Sequence, residues 1–97
     1  MNQARDLLGE KSFRDLVARK GITSSNSIRR IEEIEVVDLL ETICNLGDSI
    51  LVLVQEGRIP EPIAESWLLD LANWYADPLA NVRDILKIQR KLREYSQ

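Results

Sequence analysis

Histidine is absent from the 97-residue sequence. That removes the side chain that most often serves as general base and as metal ligand near neutral pH. No Ser-His or Cys-His nucleophile pair can form, nor a Cys/His zinc site, nor the Glu-x-x-His motif of di-iron bundles. Cysteine occurs once, at Cys44, so no internal disulfide is possible and a reducing compartment is expected. The four glycines, at positions 9, 21, 47 and 57, are scattered, and no glycine-rich phosphate loop exists. With three prolines and five aromatic residues besides, the chain is too poor in turn formers and rings for a sandwich or barrel. The longest uninterrupted apolar run, residues 50–54, is far below the ~20 residues that span a bilayer. The N-terminus lacks a basic-then-apolar signal pattern. The expectation is a cytoplasmic protein with no membrane segment, no cofactor, no metal and no enzymatic activity.

What is present is ordinary for a soluble globular chain, at 44 % hydrophobic and 30 % charged, and the length fits a single domain over residues 1–97. Charge is unevenly spread. The net charge of −3 and pI near 4.9 argue against bulk electrostatic binding to nucleic acid or anionic lipid. Residues 32–48 hold six acids and no base, whereas residues 83–93 hold five bases and one acid, Asp84. Such a chain can pair these segments internally or head-to-tail with another copy, or leave both as solvated helix faces.

Two apolar stripes run side by side at heptad spacing. One is Val36, Leu39, Ile43, Leu46, Ile50 and Leu53; the other is Val37, Leu40, Cys44, Gly47, Leu51 and Val54. Steps of three and four residues put each on one helical face, and together they describe the central helix of a bundle, touching more than one neighbour. Run unbroken over residues 27–56, this helix is about 45 Å long, against a radius of gyration of about 13 Å for a compact domain of this size. Two outcomes are open. The helix breaks at Gly47-Asp48, with Gly47 as C-cap and Asp48 as a new N-cap, or it stays whole and protrudes toward a partner. The stripes keep register across Gly47, which favours the whole helix.

Flanking signals place the other elements. Residues 3–8 read as a short helix. Ser12 with Asp15 resembles a capping box ahead of a helix burying Phe13, Leu16 and Val17, closed by Gly21. Gly57 ends the long helix, Pro60 and Pro62 start the next, which runs to about residue 76, and Asp77-Pro78 reads as N-cap and N1 of a last helix to about residue 95. Its expected buried positions are Leu79, Val82, Ile85, Leu86, Ile88 and Leu92. The fold class is all-α, a small helical bundle of five or six helices around a long central helix. A break at Gly47 would give six short helices, an architecture that resembles death-fold adaptor domains at the level of helix count alone.

Candidate sites follow from packing rather than chemistry. Glu32, Glu33 and Glu35 cluster, but oxygen-only metal sites need ligands from several elements, so an exposed acidic face is the expected reading. Cys44 lies within an apolar stripe and reads as a small buried residue. Trp67 and Trp74, seven apart on one face with Ile63, are core anchors or partner-binding residues, with Asp70 between them. Residues 13–32 resemble a repressor-type helix-turn-helix: an apolar pair (Leu16, Val17), a turn glycine (Gly21) and a polar start to the second helix. The resemblance implies Ser25, Asn26, Ser27, Arg29 and Arg30 as base readers. The turn is one residue longer than usual and the second helix becomes acidic after one turn, which phosphates disfavour.

The leading expectation is a non-enzymatic protein–protein interaction module: an adaptor, assembly factor or small regulator. It self-associates, as a homodimer or larger homo-oligomer, through helix 27–56 and binds a protein partner. Its interface residues are Leu39, Ile43, Leu46, Ile50, Leu53, Trp67 and Trp74. The alternative is a helix-turn-helix DNA-binding regulator.

Overall fold

In the computed structural model, residues 8–22 and 30–96 are described, with side chains described for 8–22 and 36–95. Among them the chain forms four α-helices: α1 Phe13–Arg19, α2 Arg30–Gln55, α3 Glu61–Ala76 and α4 Val82–Ser96, with a 3₁₀ turn, Leu79–Asn81, ahead of α4. The all-α class stands, and the helix count is four rather than five or six. One expected helix, over residues 3–8, lies outside the described residues apart from Leu8; of the two outcomes open at Gly47, the whole helix, which the register of the stripes favours, is the one formed. No described helix is long and apolar enough to cross a membrane.

Local chemistry sets the helix ends. Ser12 caps α1, its Oγ accepting from the Asp15 N–H at 3.1 Å. Past α1, Gly21 takes φ +70°, and the Gly21 and Ile22 N–H groups donate to the carbonyls of Ala18 (3.1 Å) and Val17 (2.9 Å). Past α2 the same pair of bonds recurs at Gly57 (φ +75°), from Gly57 to Val54 (3.1 Å) and from Arg58 to Leu53 (2.8 Å). These are Schellman closures, which place a residue in the left-handed region where a Cβ is disfavoured. Pro60 leads α3, its carbonyl accepting from Ile63 and Ala64, both at 3.1 Å. Asp77 corrects the sequence reading. It closes α3, donating its N–H to the Trp74 carbonyl at 3.0 Å, and Pro78 opens the 3₁₀ turn. The Asn81 side-chain amide then donates to the Asp77 carbonyl at 2.7 Å.

Gly47 lies in mid-helix, and its role is spatial. A Cβ there would fall 2.6 Å from Phe13 Cβ and closer still to Cγ and Cδ2 of the same ring. The missing side chain makes a notch in α2 that holds Phe13, which is fully buried. The Phe13 ring also meets Tyr75 of α3, centroids 6.4 Å apart and planes tilted by 60°. One residue along, Asp48 Oδ1 accepts the Phe13 backbone N–H at 2.7 Å, satisfying a free donor in the first turn of α1 from 35 positions away in sequence. The residues that read as a helix break are thus a seat and a clasp for α1, and α2 passes through them whole.

The buried hydrophobic residues other than Val36 form one cluster fed by every helix, and α2 packs against α1, α3 and α4. Residues 50–54, strand formers by composition, are helical because no strand is present among the described residues to pair with them. Ile43, Ile50, Leu68, Leu71 and Ile85 are fully buried, and no described polar or charged residue is buried with them. At 26 residues α2 is about 39 Å long, and the molecule measures 41 × 31 × 17 Å with a radius of gyration of 13.3 Å. A flat bundle of this length accommodates the whole helix. Several positions depart from the expected core: Leu79 and Val82 are half-buried, and two more are exposed. Leu86 is 45 % and Val37 54 % exposed, since each lies beyond the edge of its helix's buried face.

Alanine at a helical glycine ordinarily gains about 1 kcal/mol. Gly47→Ala is expected to lose about 1–3 kcal/mol instead, through overpacking against Phe13. In a Phe13→Ala background the cost of the same change falls, because the ring atoms are gone. Urea denaturation of the four proteins in this cycle measures both quantities, and a stabilising Gly47→Ala in the wild-type background contradicts the notch.

Candidate interaction surface

The stripe residues put forward for association lie inside the chain. Ile43, Leu46, Ile50 and Leu53 are buried, and Leu39 is half-buried against the same core. Their apolar surface is largely covered within the chain, where they hold the bundle together.

The tryptophans occupy a different position. α3 turns Ala64, Leu68, Leu71 and Ala72 into the core. At helical spacing, Ile63, Trp67 and Trp74 fall on the edge of that face, and all three are half-buried. α4 completes the edge from the other side. Tyr95 meets Trp67 edge to face, with centroids 5.8 Å apart and planes at 74°. Ile63, Trp67 and Tyr95, with Lys91 and Glu94, line an open cleft of about 410 Å³. An edge-to-face pair holds both rings in fixed orientation while leaving part of each to solvent. The arrangement can take an apolar side chain against the ring pair and Ile63, with one charge of each sign at its rim. Trp67 stood out in the sequence, but Tyr95 did not. No local period links positions 28 residues apart, and only the packing of α4 on α3 brings them together.

The described residues hold little that could do covalent chemistry. Cys44 is buried, and burial pushes its thiol up from the ordinary value; the Arg14 charge opposes this, while Glu41 and Asp48 add to it. Arg14 and Glu41 form an exposed ion pair at 2.6 Å, and the hydrogen bond to Glu41 holds the Arg14 guanidinium above its ordinary pKa. Among the described residues no cluster of His, Cys, Asp or Glu could hold a metal ion. The side chains of Glu32, Glu33, Glu35 and Arg30 lie outside the described set, as do Ser25, Asn26, Ser27 and Arg29, the implied base readers. Leu16 and Val17 are buried, which any helix packed at this position requires.

Compared with models of protein families, with curated proteins and with solved structures, the chain matches none.

A thiol that is both covered and raised in pKa carries little thiolate and little access for a reagent. Cys44 is therefore expected to resist Ellman's reagent in the native protein near neutral pH and to react fully once urea unfolds the chain. Rapid reaction of one equivalent under native conditions contradicts its burial.

Proposed function

We propose that this chain is a non-enzymatic protein–protein interaction module, an adaptor, assembly factor or small regulator, that takes its partner on the α3–α4 cleft. The observation that carries the reading is Trp67, half-exposed and fixed against Tyr95 beside Ile63. Tryptophan and tyrosine dominate binding hot spots because each covers much apolar area at little cost in side-chain freedom. The absence of histidine and the burial of Cys44 support a role without catalysis. The lone, covered thiol also fits work in the reducing environment of the cytoplasm.

The test is comparative capture from soluble extract of cells that express the chain. The baits are immobilised wild type, Trp67→Ala and Lys91→Glu, with helicity of each checked by circular dichroism. Truncating a hot-spot tryptophan costs at least ~2 kcal/mol, or about 30-fold in affinity. Proteins enriched on wild type are expected to be lost from Trp67→Ala and reduced on Lys91→Glu. An identical set retained by all three folded baits sinks the assignment of the cleft.

A further inference from the structure

The outer face of α4 is built differently from the cleft. Ile85, Ile88 and Leu92 are buried, which turns Arg83, Lys87 and Arg90, spaced four and three apart, to the opposite side. All three are exposed, and none is in an ion pair among the described residues. Leu86 lies beside them, 45 % exposed, in a shallow concavity of about 540 Å³ that Asp84 and Gln89 complete. A large aliphatic side chain ringed by unpaired cations is an apolar contact point with a charged rim, the usual layout of a docking surface.

The same chain carries a complementary surface. Residues 30–41, the first half of α2, hold five carboxylates and one guanidinium. Asp38 and Glu41 are exposed there, with Val37 beside them 54 % exposed, and of these two acids Glu41 is bridged, to Arg14. Val37, Asp38 and Glu41 look to solvent, as does the outer face of α4, so a second copy can bring the two together. We propose that the outer face of α4 docks on the acidic first half of α2 in a second copy of this chain. Leu86 then meets Val37, and Arg83, Lys87 and Arg90 meet the carboxylates around it. The proposal rests on the reading of the chain as an interaction module and makes a second copy one of its partners. Nucleic acid is the poorer occupant: a chain of net charge −3 repels a polyanion at long range, and a phosphate backbone offers nothing to Leu86. Because each copy carries both faces, two copies exchange a reciprocal pair of contacts when a twofold axis allows, and otherwise continue head to tail.

Contacts of this kind depend on ionic strength, because the screening length falls from about 30 Å at 0.01 M salt to about 8 Å at 0.15 M. Sedimentation equilibrium of the purified full chain tests the proposal at both salts. The variants are Lys87→Glu/Arg90→Glu and Asp38→Lys/Glu41→Lys, all at exposed positions, with folding checked by circular dichroism. Concentration-dependent association is expected for wild type at low salt, weakened by about tenfold or more at the higher salt. Each variant alone is expected to be monomeric, and an equimolar mixture of the two to associate. A wild type that stays monomeric at low salt overturns the proposal. So does association indifferent to salt and charge reversal, or variants that fail to associate when mixed. Neither charge-reversed variant touches Ile63, Trp67 or Tyr95, so failure here leaves the capture experiment on the cleft to be judged on its own result.

Discussion

The Phe13 ring lies where a side chain at position 47 would otherwise stand. Three helices meet at this contact: α1 contributes the ring, α2 the notch, and Tyr75 of α3 meets the ring at a tilt. Burying a phenylalanine side chain contributes about 1.5–3 kcal/mol, and the hydrogen bond from the Phe13 N–H to Asp48 fixes the angle at which α1 arrives. α1 has only seven residues, too few to be stable as an isolated helix. It persists because Phe13, Leu16 and Val17 are buried on α2 and because Ser12 and Asp48 satisfy donors in its first turn.

From that seat follows the layout of the remaining surface. With α1 on one side of α2 and α3 and α4 packed along it, both apolar stripes are largely consumed inside a single chain. Two features of the remaining surface lie at the margins of the buried faces. One margin is the aromatic cleft between α3 and α4. The other is the cationic outer face of α4, with the exposed Asp38 and Glu41 of α2 as its opposite in charge. Each margin exists because a helix's buried face is narrower than its apolar content, which leaves Trp67, Leu86 and Val37 at the edges.

Much of this was legible in the residues themselves. Ser12, Gly21, Gly57 and Pro60 act where their backbone chemistry places them, since capping and left-handed closure are decided within a few residues of chain. The long helix and its buried stripes were legible from periodicity for the same local reason. Gly47-Asp48 left two outcomes open, and only the register of the stripes favoured the whole helix that forms. Glycine followed by aspartate is the ordinary mark of a helix end and a new cap, and nothing nearby in sequence reveals that the cap serves a helix starting 35 residues earlier. Asp77 closes α3 rather than opening α4 because Pro78 leads into a 3₁₀ turn. Leu86 shares the helical period of Ile85 and Leu92 too loosely to be separated from the core by pattern alone. Tyr95 joins the cleft only through tertiary packing.

The unbroken helix with Phe13 seated at Gly47 is tested most directly by nuclear magnetic resonance of the labelled chain. Helical Cα shifts running without interruption through residues 45–50, with Overhauser contacts from the Gly47 α-protons to the Phe13 ring, are the expected result. Turn-like shifts at Gly47 and Asp48 with no contact to that ring would contradict the seat, and with it the placement of every surface described above.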